Sequence, residues 1–440
     1  MTVPTRYDDA LPIFAALVRK TLGKDAPLEN FFFRDASGRL TFVLTEDITE
    51  SAKKALLRGA RRIRPYVQDD GNAIARPEDL LDPELAHPDI GVFERIDHRA
   101  YSGFVRLVEH RIVGQDWLEP PQDPIKGVPP VVVFASHKGG VGRSTALAVA
   151  SAALAERGYN ILVVDLDLEA PGLGGIFLDQ KQMPKFGTLD YFVESTLGDL
   201  DDRFIEGVTA VSSLAQGRGR VHVAPAVGST GETHPQNILG KIARAYLETE
   251  NTERRATFLN RTRDLIKRLS QRSRYEAIFV DARAGLNETA AASILGLGAD
   301  VLLFGVDAPQ TFTGYRYFLS YLQRFRPTES TETDWRARLR MVHAKASPDP
   351  EKQADFRTKA FDLFADTLYD LEEGVEEASF NFDYDDRTAP HFAWPILNDS
   401  NYFEFNPLAR KEQFATQLYD RTFGPFIAGL VQRLELDKRR

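Results

Sequence analysis

Residues 131–146, Val-Val-Val-Phe-Ala-Ser-His-Lys-Gly-Gly-Val-Gly-Arg-Ser-Thr-Ala, constrain the fold more than any other stretch. An apolar run empties into a loop of glycines, and an alanine-rich segment follows. The run suits a strand buried on both faces, and small residues suit a helix packed closely on a sheet. Gly139, Gly140 and Gly142 let the backbone turn tightly, so that successive N–H groups converge into an anion-binding nest. A helix starting near Arg143 adds its free N–H groups and positive dipole end to that nest. The stretch reads as a phosphate-binding loop, with Ser144 where the hydroxyl of a Mg²⁺ site belongs. A glycine-rich turn without a ligand would give no reason for strand, loop and helix to follow in this order.

Composition sets the bounds. A chain of 440 residues suggests about two or three domains. Its hydrophobic share of 43% and charged share of 27% are those of an ordinary globular protein. No apolar run approaches the roughly 20 residues of a membrane span, and the N-terminus carries no basic leader before an apolar segment. A cytoplasmic location is the expectation. The absence of cysteine excludes disulfides, cysteine nucleophiles and thiolate metal sites. A formal charge of −9 gives no global attraction to nucleic acid, although local basic faces remain.

Residues 1–120 read as a separate α+β module, joined by a proline-rich linker at 121–130 to a second domain at 131–440. Helical spacing runs over 7–22, and Asn30-Phe-Phe-Phe-Arg and Leu40-Thr-Phe-Val-Leu flank a turn at 35–38, as in a hairpin. Residues 48–66 read as one basic helix, whose charges are either solvated or meet nucleic acid or an acidic partner. The solvated reading is preferred because no aromatic stacking set accompanies them. Residues 90–117 mix strand and helix patterns and receive no assignment.

After residue 130, strands and helices alternate, which predicts an α/β fold: a doubly wound, mainly parallel sheet with helices on both faces. The strand at 160–165 ends in Asp165-Leu-Asp167, and the strand at 275–281 ends in Asp281. Carboxylates at the C-terminal ends of parallel strands face the ligand crevice of such a sheet. Residues 253–274 read as a basic helix, either solvated on the outside or in contact with nucleic acid phosphates. The acidic, aromatic stretch 348–390 is either a partner-binding or lid insertion or a solvated one. The final segment has helical apolar spacing, and docking on the sheet is preferred to lying on a membrane.

The motif Lys138-Gly-Gly-Val-Gly-Arg-Ser-Thr145 resembles the deviant Walker A loop of ParA/MinD-type P-loop ATPases of the SIMIBI class, in its KGGVGR variant. The resemblance spans about residues 128–430. It implies ATP and Mg²⁺ as cofactors, with Lys138, Gly139, Gly140, Val141, Gly142, Arg143, Ser144 and Thr145 holding nucleotide. It further implies Ser144, Asp165 and Asp281 around the metal, with Asp281 acting through water, Asp167 orienting the attacking water, and Gly285 as a hinge near the γ-phosphate. Lys138 would cross to the phosphates of a second subunit in an ATP-dependent homodimer. Arg283 would be either a phosphate sensor or a salt-bridge partner, and His343 or Lys345 would stand where relatives contact adenine. Arg143 departs from the family's lysine, and a guanidinium fork is not interchangeable with an ammonium. The resemblance therefore implies a slow ATPase acting as a dimer switch on a protein partner bound through residues 1–120, with a role in bacterial conflict or defence. The alternatives are a nucleotide-binding scaffold with negligible hydrolysis and a ParA-like nucleic-acid partitioning ATPase.

Overall fold

Two apolar clusters, separated in sequence, organise the chain. A computed structural model describes all residues except 1–4, 68–72, 81–90, 112–113, 215–216, 248, 252–253, 328–333, 371–379 and 439–440. It divides into residues 1–118 and 119–440.

In the first unit, a five-stranded sheet forms from β1 (Phe31–Arg34), β2 (Leu40–Val43), β3 (Ile74–Ala75), β4 (Val92–His98) and β5 (Tyr101–Glu109), in the order β3-β2-β1-β5-β4. Residues 90–117, unassigned from sequence, thus supply an antiparallel hairpin in register from Val92↔Leu107 to His98↔Tyr101. Helix Tyr7–Leu22 turns Leu11, Phe14 and Val18 onto one face, where Phe14 meets Phe32 edge-on at 5.4 Å. The basic helix is shorter than its charge pattern suggests. It runs Glu50–Ala60 and tightens into a 3-10 turn at Arg61–Ile63, because the residue before Pro65 is sterically barred from continuing it.

The second unit is an α/β fold on a sheet of eight strands: β6 (Val131–Ser136), β7 (Ile161–Asp165), β8 (Ala210–Val211), β9 (Val221–Ala224), then β12 (Ala277–Asp281), β13 (Asp300–Gly305), β14 (Leu339–Ala346) and β15 (Trp394–Leu397). Between β9 and β12 lies a separate two-stranded ribbon, β10 (Thr249–Asn251) with β11 (Arg254–Ala256). The large sheet runs β15-β14-β13-β6-β12-β7-β9-β8 and is parallel except at the β8–β9 edge. Because β6 is central and the chain winds away from it on both sides, its C-terminal end opens on the crevice of a doubly wound sheet.

Helix Arg143–Glu156 buries Leu147, Val149, Ala150 and Leu154 against this sheet. Helix Thr416–Arg433 joins the same core, with Phe426 6.2 Å from Phe134 and 5.9 Å from Phe304. The apolar face of the C-terminal segment is therefore spent inside the domain. No helix among the described residues is long and apolar enough to cross a membrane.

The basic stretch 253–274 differs from its sequence reading. Its helix is Phe258–Ser270, entered from the ribbon and capped by Thr257, whose hydroxyl accepts the Asn260 N–H at 3.2 Å. Several of its charges point inward: Arg261 donates to the carbonyls of Phe192 and Ala245 at 2.7 and 2.8 Å, and Arg268 to that of Leu200 at 2.9 Å. Arg261, buried and tied to those carbonyls, is neither solvated nor offered to phosphates, whereas Lys267, Arg272 and Arg274 are exposed. Within 348–390, helix Pro350–Thr367 buries Phe356, Leu363 and Phe364, and Tyr369 shares a 2.6 Å hydrogen bond with His391. The acids Glu372, Glu373, Glu376 and Glu377 lie outside the described residues.

Candidate nucleotide-binding site

The glycine loop is shaped by conformation at two of its positions. Gly140 has φ +75° and Gly142 has φ +90°, left-handed backbone that costs an L side chain roughly 1–2 kcal/mol. Gly139 has no such φ, and a methyl group on any of the three would meet nothing within 4 Å. The loop thus leaves open space above it, and at Gly139 the chain itself gives no reason for glycine. Gly142→Ala should lower stability by about 1 kcal/mol in a denaturant titration. Gly139→Ala should leave the denaturation midpoint unchanged while weakening nucleotide binding, because its methyl group would enter space a phosphate needs.

Arg143, at the start of the helix, turns back beneath the loop. It is 8% exposed and lies among strand-end oxygens. Its Nε donates to Asp281, its Nη2 to Asp167 Oδ2 at 3.2 Å and its Nη1 to Ser136 Oγ at 3.2 Å. Ser144 Oγ donates to the other Asp281 oxygen at 2.5 Å. Asp165, beside Asp281 across the β7–β12 ladder, accepts backbone N–H groups of Asp167, Gly172 and Leu173 at 3.0, 3.2 and 3.1 Å. Burial, reinforced by the neighbouring Asp281, pushes the Asp165 carboxyl up to about 7 despite those bonds. Burial likewise raises Asp281, against the pull of Arg143 and Ser144. For Arg143, burial favours the neutral form, but Asp281 and Asp167 outweigh it and hold the guanidinium charged.

This arrangement does not fit a divalent cation at Ser144, Asp165 and Asp281. Both Asp281 oxygens already accept hydrogen bonds, from Arg143 and from the Ser144 hydroxyl. Asp165 is committed to three backbone donors, and a buried monocation occupies the space among the remaining oxygens. A hard dication needs oxygens free to coordinate it.

The segments after the acids also meet. Gly285, at φ +94°, donates its N–H to Ser136 O at 3.0 Å, so in this state that N–H closes the loop onto β6. Arg283 pairs with Glu169 at 2.6 Å, which makes it a salt-bridge partner here and ties the segment after Asp167 to the one after Asp281. Tyr246 reaches the same carboxylate at 3.4 Å. Sequence reading passed over Ser136 and Glu169. The only available signal was position, one at the end of β6 and the other two residues past Asp167.

On the far side of the loop, Gly142, Thr145, Lys345, Asn398, Asp399, Tyr402 and Phe403 line a cleft. His343 is absent from it: the ring is buried, stacked on Phe356 at 4.0 Å, and burial pulls it down to about 4. Lys345 does reach the loop. The β14–β15 register slips between His343 and Ala346, Lys345 takes φ +52°, and its Nζ donates to Gly140 O at 2.8 Å. Against the upward push of burial, hydrogen bonds from Asn401, Arg421 and Thr422 hold Asp399 down to about 2. Val141 is buried in the core, and Lys138 is exposed beside Gly139.

A parallel α/β sheet whose central strand runs through a glycine loop into a helix N-terminus, with acids ending two of its strands, defines the class of P-loop nucleotide-binding folds. Residues 132–333 match the CobQ/CobB/MinD/ParA nucleotide binding domain, which makes that segment a P-loop domain of the ParA/MinD type. Among solved structures, it is similar to pNOB8 ParA bound to nonspecific DNA, at 17% identity over 70% of this chain and 100% of that one, with a TM-score of 0.41. A ParA family ATPase from Chlorobium tepidum TLS shows 17% identity over 66% and 97% of the two chains, with a TM-score of 0.39. The cell division ATPase MinD of Pyrococcus furiosus shows 20% identity over 43% and 64%, with a TM-score of 0.31. No curated protein sequence matches the chain.

Proposed function

We propose that the chain is an ATP-binding switch with slow turnover, which dimerises on ATP and acts on a protein partner through residues 1–120. One observation carries this reading: an open loop of glycines at a helix N-terminus, with the carboxylates of Asp167 and Asp281 on the helix's first residue and Asp165 beside Asp281. The loop N–H groups would hold the phosphates, and exposed Lys138 would face a second copy. Asp167 would orient a water whose oxygen attacks the terminal phosphorus as the bridging oxygen leaves with ADP. That chemistry is chiefly positioning and electrostatics, so an Asp167 held by Arg143 makes it slow.

Phosphate release and molecular mass, measured together with ATP, test the reading. Asp167→Ala should keep ATP-dependent dimerisation and lose turnover by about a hundredfold, in the range of a lost positioning or proton-accepting group. Lys138→Ala should lose both. Bound nucleotide with no change in mass would sink the switch.

The Arg143–Asp167 pair also favours a second reading, a nucleotide-dependent scaffold without hydrolysis. It predicts bound ATP and no phosphate release from the wild type. The expected role in conflict or defence rests on the KGGVGR motif alone, and the neighbouring genes in the genome would test it.

A further inference from the structure

We infer that Arg143 is the resident cation of this site, and that the chain binds nucleoside triphosphate without a divalent metal. The inference rests on the nucleotide-binding reading above and adds its cofactor requirement. Three N–H groups of one guanidinium are matched to three acceptors, on Asp281, Asp167 and Ser136, from the ends of β12 and β6 and from the loop after β7. The side chains are deeply buried, at 9% exposure for Arg143, 12% for Asp167 and 3% for Asp281.

Lysine in that position is a point charge on a flexible stem, able to leave a carboxylate and swing to a phosphate. The planar guanidinium fork is fixed by all three contacts at once. Removing it strands buried carboxylates, and adding a dication beside it sets two cations together where solvent screens little. Of the carboxylate oxygens that would coordinate a metal, those of Asp281 already accept from the fork and the Ser144 hydroxyl, and those of Asp165 from backbone N–H groups.

Without a metal, the polyphosphate's charge must be met by the chain. Two further cations are placed for that. Exposed Lys138 precedes Gly139, and Lys345 is brought to Gly140 by a left-handed backbone turn and a break in strand register. A bulge that turns one lysine out of an otherwise buried strand and onto the loop is unexplained by packing, since the neighbouring Ala344 and Ala346 are buried and Lys345 is exposed.

Equilibrium binding of a fluorescent ATP analogue to the full chain, in excess EDTA and in excess MgCl₂, tests the inference. The wild type should bind in both, with dissociation constants within about threefold of each other. Lys345→Ala should weaken binding in EDTA by about tenfold and leave the denaturation midpoint unchanged. In Arg143→Lys the carboxylate oxygens become available, and MgCl₂ should tighten binding by about tenfold or more. If Arg143→Lys fails to fold, the wild-type comparison and Lys345→Ala decide by themselves. Wild-type binding that appears only with MgCl₂ overturns the inference and leaves the nucleotide-binding reading standing. No binding under either condition overturns both.

Discussion

Arg143→Ala is expected to lower the unfolding free energy by about 3–5 kcal/mol, the range for removing one partner of a buried ion pair. The substitution leaves Asp281 and Asp167 without their shared counter-charge, in a site that already holds Asp165. The loss should depend on pH. With Arg143 gone, the Asp281 carboxyl, already raised by burial, loses the charge that pulls it down and moves further up. An acid whose folded value lies above its unfolded one binds more protons when folded, so stability falls as pH rises between the two values. Denaturant titrations at pH 5 and pH 8 should therefore show the larger loss for Arg143→Ala at pH 8. An equal loss at both would mean that the guanidinium contributes packing and little charge balance.

The pattern of apolar runs and glycines made most of the second domain legible. A run such as Val131–Val133 has few alternatives to a buried strand, and the left-handed Gly142 marks where the helix must start. Local charge was a poorer guide. Residues 253–274 look uniformly basic, yet Arg261 is turned inward to carbonyls 69 and 16 residues away, which spacing cannot reveal. The same limit hid the aim of Arg143. The motif places the residue, but the direction of its side chain depends on Asp167 and Asp281, 24 and 138 residues further on.

His343 and Lys345 show a third limit. Both lie on one strand, two residues apart, and regular alternation would put them on the same face. The slip in register beside β15 breaks the alternation, so the lysine reaches the loop and the histidine stacks in the core. A bulge is a property of two paired strands, and neither strand's sequence states it alone.

Arg143→Lys is expected to raise ATP turnover by about tenfold or more, an effect of the size a positioned proton acceptor commands. The ammonium cannot span Asp281, Asp167 and Ser136 together, as the guanidinium does. If it stays with one carboxylate, the other is released. If it swings to the phosphates, both are released, and Asp167 becomes free to take up a water's proton. Stability should fall modestly, because a charge remains in place of the fork. Phosphate release from Arg143→Lys, set beside Arg143→Lys combined with Asp167→Ala, separates this from a nonspecific gain: the increase should vanish in the double variant. If turnover instead falls with Arg143→Lys, the guanidinium is itself stabilising the reacting phosphate, and its pairing with Asp167 must break when nucleotide binds.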